Sequence, residues 1–202
     1  MRFATITVAA LSTLTLAACQ TSSLTDAQKE GVTHTDQAFS GTMKDIDAEA
    51  SVISFVGGST VVDHEGKFNE YEAHIMLDET DPANLEKAAI MATIDLTSAV
   101  TDAEGLNGHL QKADFFETAT YPQATFNSTN IASKGGNMYA VTGDLTVKGV
   151  TKSVSFDAEI TDEYLTATYE FPRKEFGVGN DTYGQKLLDE TVPVNVKLVF
   201  KK

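Results

Sequence analysis

The chain has 202 residues, 42% hydrophobic and 22% charged, the balance of one globular domain and not of a disordered chain. Its 29 acidic against 15 basic residues leave a formal charge of -14, which argues against nucleic acid or an anionic membrane surface as the main partner, since both need clustered basic side chains. A single cysteine excludes an internal disulfide framework and a cysteine-cluster metal site.

The chain opens on "MRFATITVAALSTLTLAAC": a basic Arg2, an uncharged apolar stretch from Phe3 to Leu16, and small residues before Cys19. This stretch is too short to span a bilayer as a helix. Leu16-Ala17-Ala18-Cys19 resembles the lipobox of bacterial lipoproteins, which implies cleavage before Cys19 and acylation of that cysteine; an ordinary secretory signal with an incidental cysteine is the second reading. The resulting layout is a signal peptide over 1–18, a lipidated N-terminus and tether over 19–42, and a barrel domain over 43–202. Gln20, and not Asp, follows the cysteine, and the resemblance then favours the periplasmic face of the outer membrane. From Gln20 to about Asp36 the sequence is polar and reads as a flexible tether in which His34 has no role.

Beyond the tether, period-2 alternation dominates and predicts eight strands, over 49–57, 65–78, 88–100, 123–132, 137–148, 150–162, 164–173 and 191–201. The last is the cleanest, with Val192, Val194, Val196, Leu198 and Phe200 on one face. "GDLTVKGVTKSVSFDAEI", residues 143–160, reads as a hairpin about Lys148-Gly149, with Leu145 and Val147 facing Val154, Phe156, Ala158 and Ile160. Other stripes are Tyr71, Ala73, Ile75 and Leu77; Ile90, Ala92, Ile94 and Leu96; and Leu165, Ala167, Tyr169 and Phe171. Phe68 is out of phase with Tyr71, the mark of a bulge. Leu106, Leu110 and Ala113 fall at helical spacing, so one short helix is expected between the third and fourth strands, followed by the pair Phe115-Phe116. Residues 174–190 read as a long loop.

Eight alternating strands in one domain favour an up-and-down antiparallel barrel, whose interior is either filled by side chains or holds one small ligand. A two-sheet sandwich uses the same alternation.

Three stretches resemble the YceI-like family of bacterial periplasmic proteins: "GHLQKADFFETATYPQATFNST" from Gly108, "GDLTVKGVTKSVSF" from Gly143, and "RKEFGVG" from Arg173. Phe55 and the Gly66-x-Phe68 pair match the family's early strands. The resemblance implies an eight-stranded lipocalin-like barrel holding a polyisoprenoid chain, with Phe115 and Phe116 closing part of the tunnel. The family's early tryptophan is absent here.

A ligand of that class needs apolar wall and no catalytic group. The candidate wall residues are Tyr71, Ile75, Ile94, Phe115, Phe116, Phe126, Leu145, Phe156, Val194 and Leu198, each equally readable as ordinary core. Arg173, ending an apolar strand, is the candidate headgroup contact, with Asp157 or Glu175 as alternative acidic partners. His64, His74 and His109 lie on different segments, which speaks against zinc, and His109 is expected to make a structural hydrogen bond near the helix. Asp78, Glu79 and Asp81 lack the spacing of a calcium loop and read as a solvated turn. No nucleophile elbow or phosphate loop is present, and "NDTYG" at 180 reads as a plain loop.

The expected function is therefore a lipid-anchored, periplasm-facing barrel that binds or carries an isoprenoid lipid, of quinone or polyprenyl type, without turnover, cofactor or metal. The competing reading is an envelope scaffold or interaction lipoprotein whose barrel is filled. Small residues amid the stripes, Ala92, Ala158 and Ala167, favour a cavity.

Overall fold

The computed structural model describes residues 41–59, 62–179 and 188–202. The signal segment, Cys19, His34, the tether up to residue 40 and the 180–187 part of the long loop lie outside the described residues. The strands are β1 (Gly41–Asp45), β2 (Val52–Gly57), β3 (His64–Phe68), β4 (Tyr71–Asp78), β5 (Ala89–Asp95), β6 (Ala99–Thr101), β7 (Gln123–Gly135), β8 (Met138–Val147), β9 (Val150–Ile160), β10 (Tyr164–Pro172) and β11 (Thr191–Val199), with helix α1 (Glu104–Leu110) before β7.

Ten of the eleven strands make up the predicted eight arms. Tyr71 pairs with Ile94 and Ile75 with Ile90; beyond the break Phe68 pairs with Ala99 and Gly66 with Thr101. β3–β4 and β5–β6 are thus the two arms of one long hairpin, whose register slips where Asn69-Glu70 interrupts one arm and a 3-10 turn, Leu96–Ser98, interrupts the other. That slip is the bulge signalled by Phe68. It reverses side-chain parity, so Phe68 and Ala73 are both buried despite lying an odd number of residues apart.

The ladder then runs through β7, β8, β9, β10 and β11 and returns to its start, because Val194 pairs with Phe55 and Val196 with Ile53. A ring of eight arms is a barrel; the sandwich reading ends there. β1 is an addition outside the ring. It pairs with β4 from Gly41↔Asp78 to Asp45↔His74, and Ile46 then bridges Phe200 across the barrel floor. Its sequence, "GTMKD", has no alternation to read, since backbone hydrogen bonds hold it. The predicted start at 49 also came early: Asp47 Oδ1 accepts from the Glu49 and Ala50 amides and its carbonyl accepts from Ser51 Oγ, so 47–51 is a turn.

The hairpin at 143–160 closes as read. Lys148 and Gly149 have φ of 51° and 73°, the two successive positive values that a tight two-residue connection requires. β9 pairs with β8 along its full length, from Val150↔Val147 to Glu159↔Met138. With β10 it pairs only at Ala158↔Ala167, Glu159↔Thr166 and Ile160↔Leu165. From Val150 to Asp157 the two strands diverge and leave a seam in the wall.

The chain connections segregate by end. α1, the Lys148-Gly149 turn and the described parts of the β2–β3 and β10–β11 loops meet at one end. The β4–β5, β7–β8 and β9–β10 turns and the Ile46–Phe200 bridge form the other.

Candidate ligand-binding site

The barrel is filled in one half and hollow in the other. Towards the floor, Ile46, Ile75, Ile131, Val141, Ile160 and Phe200 are buried and contribute nothing to a cavity. Towards the loop end lies a cavity of about 460 Å3, inside the usual range of roughly 300–1,000 Å3 for small-ligand sites. Its wall is apolar all round: Phe55 from β2, Phe68 from β3, Ile90, Ala92 and Ile94 from β5, Ala124 and Phe126 from β7, Leu145 from β8, Val154 and Phe156 from β9, Ala167 and Tyr169 from β10, Val194 and Leu198 from β11. Leu106 and Leu110 of α1 with Phe115 and Phe116 roof it. The polar residues Ser59, His64, Arg173 and Asp189 line it only where loops meet.

Of the candidate wall residues, Ile94, Phe115, Phe116, Phe126, Leu145, Phe156, Val194 and Leu198 line this cavity, whereas Tyr71 and Ile75 do not. Both belong to β4, whose direct partners on β5, Ile94 and Ile90, do line it, so the cavity ends between these two strands. Alternation tells which face of a strand is inward, and it is silent on which inward side chains meet open space and which meet neighbours. Phe55, Phe68, Val154, Phe171 and Val192 also line the cavity. Their alternation was visible, and the open space beside them was not. Of the small residues, Ala92 and Ala167 face the cavity, while Ala158 is in the filled core.

Arg173 is 3% exposed, and its guanidinium donates to backbone carbonyls: Nε to Asp189 at 2.5 Å, one terminal nitrogen to Val178 at 3.1 Å and to Gly179, the other to Leu188 at 3.1 Å. The loop presents those carbonyls because the turn Arg173–Phe176 ends at Gly177 with φ of 67°, reversing the chain over its own arginine. Neither expected acid serves it: Asp157 pairs with Lys134 at 2.6 Å and Glu175 with Lys152 at 2.8 Å. Its observed work is to bind the two limbs of the β10–β11 loop over the cavity. Lys148 ties this loop to the segment after α1, donating to Ala113 O at 2.6 Å and Gly177 O at 3.0 Å.

The seam reaches the same cavity. Val154, Phe156, Tyr169 and Phe171 line both, with the Phe156 and Tyr169 rings 6.0 Å apart across it. Lys152–Glu175 spans its upper end. Burial at this wall holds the Tyr169 phenol above its ordinary pKa.

The histidines stay apart: His64 pairs with Asp102 at 2.9 Å, His74 with Asp45 at 3.5 Å and His109 with Asp114 at 3.2 Å, the last with its ring edge-on to Phe115. Among the described residues no three metal-ligating side chains converge. Asp78 is an acceptor for Thr80 Oγ1, the Thr80 amide and the Asp81 amide, hydrogen bonds that hold its carboxyl below the usual range and shape the acidic turn.

Comparison with known proteins finds a family profile, the YceI-like domain, matching residues 45–200. Protein YceI of Escherichia coli O157:H7 is 36% identical over 121 residues, 60% of this chain and 53% of that protein. A UPF0312 protein of Vibrio campbellii is 31% identical over 140 residues; the chain thus matches between 53% and 63% of the length of these curated relatives. Among solved structures, Burkholderia cenocepacia BcnA superposes with a TM-score of 0.69 at 31% identity, over 77% of this chain and 99% of that one. A polyisoprenoid binding domain from Saccharophagus degradans implicated in plant cell wall breakdown shares the fold, with a TM-score of 0.60 at 20% identity over 80% and 99%.

Proposed function

The chain belongs to the YceI-like family, and we propose on that basis that its barrel binds or carries an isoprenoid lipid, of polyprenyl or quinone type, without chemical turnover. The observation that carries the reading is the half-hollow barrel: an apolar cavity of about 460 Å3 whose polar residues all sit at one end. Such a wall discriminates by shape and area. Each buried carbon of a chain gains roughly 0.8 kcal/mol, and several isoprene units offset the ordering that binding imposes. The roof and the filled floor orient the ligand, its tail towards Leu198 and its headgroup among the loops. The name of the Saccharophagus degradans domain is consistent with this ligand class.

The same proposal includes the anchor. Cys19, the chain's single cysteine, follows the signal-like segment and is acylated, and the barrel then faces the periplasm, with Gln20 directing it to the outer membrane. Replacing Cys19 by Ala should move the protein from the membrane to the soluble fraction.

The functional test is native mass spectrometry of the full chain released gently from its own envelope, then organic extraction. A stoichiometric isoprenoid supports the carrier reading. An apo mass that does not change on addition of ubiquinone or polyprenyl alcohols overturns it and leaves the scaffold reading.

A further inference from the structure

Two aromatic side chains of the cavity lie over inward-facing glycines. Phe55 on β2 pairs directly with Gly66 on β3. A Cβ built on Gly66 would run into the Phe55 ring, with Cε2 at 2.6 Å and Cε1 at 3.0 Å and Cζ nearer still, and these ring atoms are its nearest neighbours. Phe126 on β7 lies over Gly143 on β8 in the same way, the Cβ position meeting Cζ at 2.5 Å and Cε2 at 2.7 Å, beside the Asn127 carbonyl at 2.5 Å. Both glycines are buried, and both rings line the cavity.

An inward phenylalanine in a small barrel ordinarily projects towards the axis and fills it. Here each ring instead occupies the place its neighbour's side chain would take, an aromatic ring covering a strand glycine. The cavity's bore is then fixed by the two glycines. Any side chain on Gly66 drives the Phe55 ring towards the axis, because the ring is the movable part. At Gly143 the backbone carbonyl of Asn127 resists as well.

We infer that Gly66 and Gly143 are specificity-determining positions: by drawing Phe55 and Phe126 to the wall they hold a bore wide enough for a methyl-branched chain, not only for a straight one. This rests on the isoprenoid reading of the cavity and adds the element that selects for branching. A chain with a methyl at every fourth backbone carbon is wider than an alkyl chain of equal length, so narrowing the bore by a displaced ring costs the branched ligand first.

The experiment compares geranylgeraniol with hexadecanol, prenyl and straight-chain alcohols of matched backbone length, titrated into the full chain and read by native mass spectrometry. Gly66→Ala is expected to weaken geranylgeraniol by about tenfold and hexadecanol by less than about threefold. Gly66→Ala combined with Phe55→Leu is expected to restore the branched alcohol, because the ring that the methyl displaces is gone. Phe55→Trp, which leaves the glycine untouched, should reproduce the selective loss and serves if Gly66→Ala does not fold. Equal loss of both alcohols, failure of the double variant to recover, or an unchanged preference in Phe55→Trp overturns the inference while leaving the carrier reading standing. A wild-type chain that takes neither alcohol overturns the carrier reading, and this inference with it.

Discussion

Arg173 is buried, and its guanidinium hydrogen bonds run to carbonyls on both limbs of one loop. Truncating it strands several buried acceptors, each costing about 1–3 kcal/mol. Arg173→Met should therefore lower stability by about 3 kcal/mol in denaturant titration and make the segments around Val178 and Leu188 sensitive to protease. Loss of ligand with unchanged stability would instead point to direct headgroup contact. Tyr169 gives a pH signature. Burial raises its folded pKa, so the folded phenol stays protonated while the unfolded one ionises. The stability it contributes is complete below about pH 10, the ordinary tyrosine value, and is lost as pH rises through the folded pKa. Tyr169→Phe should flatten part of that alkaline decline in chemical denaturation. At this scale the sequence was informative about residue type and face, as the stripe Leu165, Ala167, Tyr169 and Phe171 shows. Tyr71 and Ile75 share the inward face yet do not line the cavity, because alternation shows the face and not which inward side chains meet open space. The sequence offered Asp157 and Glu175 to Arg173 because carbonyl acceptors carry no sequence signal.

Among the elements, β9 combines the most legible pattern with the least legible pairing. Its alternation from Val154 to Ile160 located both faces, but alternation is the same whether a strand has one neighbour or two. Only the structure shows that the β10 partner is absent from Val150 to Asp157. Amide hydrogen exchange should therefore split along β9: the alternate amides bonded to β8 slow, and those facing the seam between Val150 and Asp157 fast. Uniform protection would mean that the seam is closed in solution. The adjoining turn is the opposite case, fully signalled by Lys148-Gly149. Gly149 has a positive φ, and a Cβ there would meet the Tyr121 ring at 2.7 Å. Gly149→Ala should cost about 2 kcal/mol in thermal or chemical unfolding, from backbone strain with the clash added. β1 escaped the reading for a physical reason: an added edge strand needs backbone groups and little apolar alternation.

For the whole molecule, periodicity gave the number of arms and left barrel and sandwich open. Closure depends on the pairing of β11 with β2, a contact between distant parts of the chain that no local pattern encodes. The question of a filled or hollow interior also has a spatial answer, since one barrel contains both states along its axis. That arrangement is what the account rests on, and ligand-induced methyl shifts test it most directly. In a methyl-labelled, assigned sample of the full chain, geranylgeraniol should shift the methyl resonances of Leu145, Val154, Val194 and Leu198, which line the cavity, and leave those of Ile131, Val141 and Ile160 in the filled half nearly unmoved. Shifts confined to the surface methyls of Met43, Val52 and Met138, or none at saturating alcohol, would contradict a lipid held inside the barrel.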